Sequence, residues 1–266
     1  VELLDAVKKS GKLYMMAETS YYRREIISCR QWTKEKKFGE IFYSEAEYHH
    51  DGLVSLMYEE NGLPSWRHGF PPMHYPTHCT GLVIPVIGER LTEVTATGWG
   101  DDHEALRTNL YNNPFWSETA MFKTDGGHSS RIELYSHVAS GGTERGQFHG
   151  TEMSYALPRP GGFPGQISTR VRGGEIKNNY HETKIKTVEH TAPNYYELLP
   201  EPMRHPSGHG GSHTHLTHEF VSAILENRQP SVDIYEALAF TVPGFYAHQS
   251  ALEGGTQLTI PDYGRS

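Results

Sequence analysis

Cysteine is scarce in this sequence, with only Cys29 and Cys79 among 266 residues. Two cysteines are too few for a disulfide framework or a cysteine-based zinc site. No stretch approaches the roughly 18 apolar residues that a transmembrane helix needs, so no membrane partner is predicted. The formal net charge is −8, and acidic and basic residues are interspersed. Because phosphate binding needs a basic face, nucleic acid is excluded as the main partner.

The first twenty residues also have no charged and apolar leader of the kind that a signal peptide shows. Instead Leu3, Leu4 and Val7 have helical spacing, and Gly11 indicates the C-terminal cap of that helix. The apolar run 13–17 predicts a buried strand. We therefore expect residues 1–20 to be the tail of a larger α/β unit.

Hydrophobic periodicity predicts an α+β fold for the rest of the chain. Residues 21–37 and 76–87 predict helices, and 41–48 predicts a strand. Shorter strands are predicted at 93–97, 118–123, 131–137, 148–155 and 183–190. Two helices, 214–227 and 233–252, follow, the second with Asp233 and Glu236 as a capping box and Pro243 as a kink. We expect an open, mostly antiparallel sheet with helices on one face, and a second subunit on the other.

The segment 73–81 carries the sharpest chemical motif, with His74, Tyr75 and His78 around Pro76. Proline suits the first turn of a helix, which would direct Tyr75 and His78 toward one cleft. A histidine exchanges protons near neutral pH, and a neighbouring tyrosine can hydrogen-bond the same oxygen. These residues therefore predict a proton-transfer site, although histidines that merely cap and pack a helix start would give the same pattern.

A second histidine-rich segment, 208–220, begins a predicted helix with glycines that permit close backbone approach. His209 is predicted to contact a substrate. His213, His215, His218 and Glu219 have metal-ligand chemistry, but solvated or capping side chains explain them better, and we predict no metal here.

Aromatic residues next to charged or amide groups occur in three loops, and stacking combined with hydrogen bonding is how sugars are held. Trp66, Arg67 and Trp99 are the predicted substrate contacts in these loops. No G-x-G-x-x-G string follows a predicted strand. The usual dinucleotide-binding turn is therefore absent from these 266 residues.

Taken together, these strings resemble the Gfo/Idh/MocA oxidoreductases over essentially the whole chain. The resemblance implies that 1–20 is the last helix and strand of a truncated Rossmann nucleotide-binding domain. It implies further that 21–266 is the substrate-binding, catalytic and oligomerisation domain. Tyr22 and Arg23 are similar to the crossover between the two domains, and with Glu18 they are the predicted cofactor contacts. His74 stands where the family usually has Asp in its D-x-x-x-H string, which puts the usual relay role of that position in doubt.

The strings Tyr75-Pro76-Thr77-His78 and Gly208-His209-Gly210-Gly211 are similar to a narrower branch of that family. This branch contains NAD-dependent glycosidases that act on α-linked N-acetylgalactosamine through transient oxidation, elimination, addition of water and re-reduction. The resemblance implies an enzyme that uses NAD or NADP, held mainly by the missing N-terminal domain, on a sugar or polyol hydroxyl. It leaves open net oxidation, redox-assisted hydrolysis, or a non-catalytic sugar-binding or dimerisation module. The composition also leaves open a histidine-rich metal hydrolase.

Overall fold

The computed structural model of the protein describes residues 2–171, 176–177, 180–181 and 184–265. The described helices are α1 (Glu2–Ser10), α2 (Arg24–Lys34), α3 (Thr77–Ile87), α4 (Glu104–Arg107), α5 (Ser212–Leu225) and α6 (Ile234–Leu252). The first five strands are β1 (Ile41–His49), β2 (Leu91–Trp99), β3 (Ser117–Thr124), β4 (Ser129–Tyr135) and β5 (Thr143–Gly150). The others are β6 (Met153–Ala156), β7 (Gly165–Val171), β8 (Ile176–Lys177), β9 (Tyr180–His181), β10 (Lys184–His190) and β11 (Leu258–Thr259).

Nine of these strands form one open sheet in the order β10-β7-β6-β5-β1-β4-β3-β2-β11. Only β1 and β4 pair in parallel, and every other ladder between described strands of this sheet is antiparallel. The prediction of an α+β fold with an open, mostly antiparallel sheet is therefore confirmed. None of the described helices has the length and hydropathy required of a membrane span.

Residues alternate along the central strands between a helix-covered face and an open face. On β1, Ser44 and Ala46 are buried under the helices, whereas Tyr43 and Glu45 are less buried. This period of two is the one that a half-covered sheet requires. The core therefore lies between one face of the sheet and the helices α2, α3 and α6.

Helix α3 is buried along nearly all of its length, which is why it shows no polar stripe. Gly81 and Pro85 weaken its helical signal in the sequence, but both lie inside the observed helix. A Cβ at Gly81 would lie 2.8 Å from Cγ of Glu18, so glycine is needed for the close approach of that segment. The helix ends at Gly88, whose φ of 73° gives the left-handed C-terminal cap.

Two predictions from periodicity are wrong in detail. The run 13–17 has no ladder partner among the described strands and is partly exposed, because a strand needs a neighbour to pair with. The predicted strand 148–155 is the hairpin of β5 and β6. Separately, Phe220, Val221 and Ile224 lie on α5 with largely exposed side chains. Thr183, the first residue of the predicted strand 183–190, lies outside the described residues.

A buried hydrogen bond between Glu118 and His248 connects the sheet to α6. The Glu118 carboxylate on β3 accepts hydrogen bonds from the His248 Nδ1 at 2.8 Å and from the Met73 backbone N–H at 2.8 Å. Both side chains are buried, so the charge of the carboxylate is compensated only by these donors. The pair thereby ties β3 and α6 to the turn that precedes α3.

We expect Glu118→Ala to lower the free energy of unfolding by about 3–5 kcal/mol, because it leaves buried donors without an acceptor. Urea denaturation monitored by circular dichroism measures this change. Lys123→Ala on the same strand is the control, since it removes only an exposed ion pair with Glu93 worth about 0–1 kcal/mol. Equal losses in the two variants would contradict a structural role for the buried pair.

Candidate active site

His78 lies in the first turn of α3, where the predicted motif put it, and its ring is surrounded by polar groups. Its Nδ1 is 3.1 Å from the Ser20 Oγ and 3.4 Å from the Glu18 Oε1. Its Nε2 is 3.2 Å from the Tyr75 hydroxyl. Each ring nitrogen of His78 therefore has its own polar partner.

The hydroxyl of Ser20 determines which nitrogen of His78 carries the hydrogen. Its single hydrogen is donated to the Glu144 carboxylate at 2.9 Å, so Ser20 Oγ accepts from His78 Nδ1–H. In the neutral ring, Nε2 is then the unprotonated nitrogen that accepts from the Tyr75 hydroxyl.

Two carboxylates from different parts of the chain lie on the Nδ1 side of the His78 ring. Glu18 is only 5% exposed and accepts the Ser20 backbone N–H at 2.9 Å. Glu144, on β5, lies 3.7 Å from His78 Nδ1 and binds the Arg23 guanidinium at 2.8 Å. Together they favour the protonated form of His78.

Burial by itself lowers the pKa of His78, but the hydrogen bond and charge of Glu18 and the charge of Glu144 outweigh it, and the pKa is raised above its ordinary value. Burial acts on Glu18 in the opposite sense, and His78 overcomes it so that the pKa of Glu18 is lowered. Burial also raises the pKa of the Tyr75 phenol. At neutral pH, Tyr75 is therefore neutral, and His78 is the group that gains and loses a proton.

An open cleft of about 630 Å³ lies in front of these groups. Tyr48 forms part of its wall and stacks on the His78 ring, with centroids 4.8 Å apart and planes at 16°. His78, Tyr75, Arg67, Arg23 and His209 all line the same cleft. The structure thus brings together five of the residues that the sequence predicts for the site.

Glu18 lies behind His78, in hydrogen-bond contact with the site and not at the cleft surface. Tyr22 is buried, with its ring against Tyr21. Trp99 is 54% exposed at the end of β2, three strands away from β1. The cofactor roles of Glu18 and Tyr22 and the substrate role of Trp99 stay predictions.

Two other predicted residues lie near the cleft without lining it. Trp66 is 57% exposed, with the Arg67 guanidinium over its ring and Phe70 in an edge-on contact. His74 points into a ring cluster with Phe245 and His248. Burial, followed by the charge of His248, lowers the pKa of His74 to about 4, so its imidazole is neutral at pH 7.

The histidine-rich segment does not bring its four possible metal ligands together. His213 Nε2 contacts His209 Nδ1 at 2.7 Å, and His215 Nε2 contacts the Asn194 carbonyl at 3.1 Å. His218 is close to Ser222, and Glu219 binds Arg228 and Ser231. Each side chain thus has a protein partner of its own.

One group on the open sheet face does have metal-ligand composition, namely Glu47, His49 and Glu133. The Glu47 carboxylate is bound bidentately by Arg145, and Arg131 binds Glu133. Two guanidinium groups already neutralise these carboxylates, which disfavours a further cation. We assign no metal to this group.

Ser20, Tyr48 and Glu144 are contacts of His78 that sequence reasoning missed. Glu144 occupies an inward position of β5, at the even positions that also hold the buried Phe148. A carboxylate at an inward strand position was the available signal, but the sequence prediction began that strand at residue 148. Tyr48 carried no signal beyond its alternation in β1.

No Gly-rich turn between a strand and a helix is present among the described residues. What fits a nicotinamide nucleotide here is the edge of the cleft formed by Arg23, which offers a cation beside the proton-transfer groups.

The fold is that of the Gfo/Idh/MocA oxidoreductases. The chain superposes on levoglucosan dehydrogenase in complex with NADH and L-sorbose with a TM-score of 0.69 at 17% identity, covering 97% of this chain and 68% of that one. It superposes on an NAD binding oxidoreductase from Klebsiella pneumoniae with a TM-score of 0.70 at 13% identity, covering 98% and 69%.

The chain is also similar to proteins of glycosyl hydrolase family 109. Residues 177–266 match the family model for the glycosyl hydrolase 109 C-terminal domain. A glycosyl hydrolase family 109 protein from Shewanella putrefaciens (strain CN-32) is 23% identical, over 99% of this chain and 61% of that protein. The resemblance predicted from the motifs is therefore confirmed, and the chain spans about three fifths of the relatives that it matches.

We expect Glu18→Gln to lower the pKa of His78, because the variant removes a charge and weakens a hydrogen bond while burial continues to disfavour the imidazolium. An NMR titration of the imidazole signals measures this change. His128 provides an internal control, since its raised pKa depends on Glu40 and Glu89, away from the site. An unchanged pKa of His78 would contradict the proposed contact with Glu18.

Proposed function

We propose that the protein is the substrate-binding and catalytic part of an NAD(P)-dependent oxidoreductase that acts on a hydroxyl of a sugar, polyol or glycoside. The observation that supports this proposal is the chain of contacts from Glu18 through His78 to Tyr75 at the cleft surface. A carboxylate, an imidazole and a phenol in this order are suited to accept a proton from an alcohol and to return it. The sugar-oxidising enzyme among the structural neighbours has the same fold.

In the oxidation direction, the substrate hydroxyl binds at Tyr75 and His78, and its proton passes to His78 Nε2. Glu18 and Glu144 stabilise the imidazolium that forms, and Ser20 keeps Nδ1 protonated so that Nε2 stays the exchanging atom. Tyr75, which remains neutral, orients the reacting oxygen. Reduction of a carbonyl uses the same groups in reverse.

A nicotinamide cofactor, when bound, supplies the hydride acceptor for this reaction. In our proposal Arg23 would contact it, and most of its contacts would come from a nucleotide-binding half whose last elements are residues 1–20, with 21–266 as the substrate domain. The proposal is supported by a solved neighbour that contains NADH and by relatives that are longer than this chain. We accordingly expect the 266-residue chain alone to show no turnover with NAD or NADP.

A second candidate is a redox-assisted glycosidase, which the match of residues 177–266 to the family 109 model favours. Both candidates need the same proton transfer at the oxidised hydroxyl. They differ in whether reduced cofactor accumulates. Release of an aglycone without a net change in cofactor absorbance would identify the glycosidase.

We expect His78→Asn to reduce kcat by about 10²–10⁴-fold in the complete gene product, because it removes the general base. Turnover on a panel of sugars and aryl glycosides, monitored by cofactor absorbance and aglycone release together, measures the loss. His128→Asn, a histidine remote from the cleft, is the matched control and should retain full activity. Retention of full activity by His78→Asn would refute the assignment of the base.

The pH profile should have its acidic limb at the raised pKa of His78, because oxidation needs the deprotonated ring. Oxidation therefore speeds up as the pH rises through that pKa. In Glu18→Gln the limb should move to lower pH, since the pKa of His78 falls. A limb that does not move would show that another group controls it.

We further propose that the open face of the sheet packs against a second copy of the chain. Trp99 and Met121 are exposed on this face next to the charged side chains of β1, β4 and β5, and an open sheet face is commonly covered by a partner subunit. The substrate in this proposal is a carbohydrate small molecule, in agreement with the sugar enzyme among the structural neighbours.

Met121→Asp should convert a dimer of the complete gene product into a monomer, because the variant places a charge in the proposed interface. Size-exclusion chromatography with light scattering measures the mass. Leu110→Asp, at an exposed loop position, is the control and should leave the mass unchanged. A wild-type protein that is monomeric at micromolar concentration would contradict this proposal.

A further inference from the structure

The cleft is lined by more arginine side chains than carboxylates. Near His78, the carboxylates of Glu18 and Glu144 face two cationic groups, Arg23 and the protonated His78. Among the described residues, Glu144 is the only carboxylate that lines the cleft, and Arg23 already binds it. Arg67 and Arg159 line the same cleft, and neither has a carboxylate within ion-pair distance among the described residues, although Arg159 also borders a neighbouring pocket that Glu45 and Glu47 line.

Arg67 holds its guanidinium in a fixed orientation without a carboxylate. It lies over the Trp66 ring, 4.5 Å from the centroid, and lines the cleft beside Tyr48 and Tyr75. No described carboxylate lies within ion-pair distance of it. Stacking fixes the plane of a guanidinium and leaves its N–H edge available for a ligand.

Arg159 reaches the cleft from a tight turn between β6 and β7. The turn is closed by the Arg159 N–H, which donates to the Phe163 carbonyl at 3.0 Å, and it uses Gly161 and Gly162 at φ of 90° and 83°. The guanidinium lies 5.6 Å from the Phe163 ring centroid and has no ion-pair partner among the described side chains. This turn thus holds a second unpaired cation at the cleft.

We propose that the sugar that binds here carries an anionic group, a carboxylate, sulfate or phosphate, and that Arg67 and Arg159 bind that group. This inference rests on the proposed function and names the substrate class of the same cleft. Guanidinium groups match the two oxygens of such anions, and a charge-assisted hydrogen bond is roughly twice as strong as a neutral one. The overall charge of −8 does not explain this local excess, so the excess is a property of the site.

The test compares matched sugars that differ only in charge. Calorimetry on the complete gene product with bound NAD would use galactose and glucose, each as the neutral sugar, the 6-uronate, the 6-sulfate and the 6-phosphate. We expect at least one charged form to bind about tenfold or more tightly than its neutral parent. Tighter binding of the uronate would identify the anionic group as a carboxylate, and tighter binding of the 6-sulfate or 6-phosphate would identify it as that ester. Either result supports the proposal.

Variants of the two arginines test whether they cause the tighter binding of the charged sugars. Arg67→Gln and Arg159→Gln should each reduce the preference, and the double variant should abolish it, whereas Arg67→Lys should retain part of it. Arg107→Gln is the matched control, since Arg107 is an exposed arginine that pairs with Asp102 outside the cleft. Thermal melts of all variants establish that the fold is intact.

Failure of this inference differs from failure of the proposed function. If no charged form binds more tightly than its neutral parent, or if the double variant keeps the preference, the inference is overturned. Turnover of neutral sugars with net cofactor reduction would then leave the proposed function standing. Conversely, a charged sugar could bind in a way that depends on the two arginines and yet show no turnover. That result would support the inference and contradict the proposed function.

Discussion

The contact between the segment around Glu18 and the first turns of α3 is the interaction on which the site depends. Because Gly81 has no side chain, the Glu18 carboxylate fits against a buried helix and reaches His78. Burial strengthens this interaction, but it also carries a free-energy cost for removing the Glu18 carboxylate from water. A charged carboxylate in an apolar surrounding therefore requires a partner. His78 and the Ser20 backbone N–H are those partners. A residue with little conspicuous chemistry, a glycine within a helix, thus permits the acid–base pair to form.

The sheet positions two of the side chains that contact His78. Its parallel pair, β1 and β4, places Tyr48 at the end of β1, where the ring stacks on His78. The neighbouring strand β5 delivers Glu144 at one of its inward positions, so two adjacent strands and α3 converge on one imidazole. The buried pair of Glu118 and His248 fixes the turn at Met73 from the other side. The His78 imidazole is held by contacts with residues far away in the sequence, and no local sequence pattern describes such contacts.

Comparison with known proteins agrees with this architecture at two levels. The fold is shared with NAD-dependent oxidoreductases at low sequence identity, and the C-terminal third matches glycosyl hydrolase family 109. In our proposals Arg67 and Arg159 select the substrate, whereas the groups around His78 transfer the proton in the same cleft.

The sequence by itself determined the fold class, the sheet, the position of α3 and the motif of Tyr75 and His78, because periodicity and turn residues are local signals. It also indicated Arg23, Arg67 and His209 as residues of the site. Only the tertiary structure decided which partners these residues have. Ser20, Tyr48 and Glu144 are distant from His78 in the chain, and His74, one turn from it, faces an aromatic cluster instead. Side chains meet in a site through packing between elements, and spacing along the chain does not encode that packing.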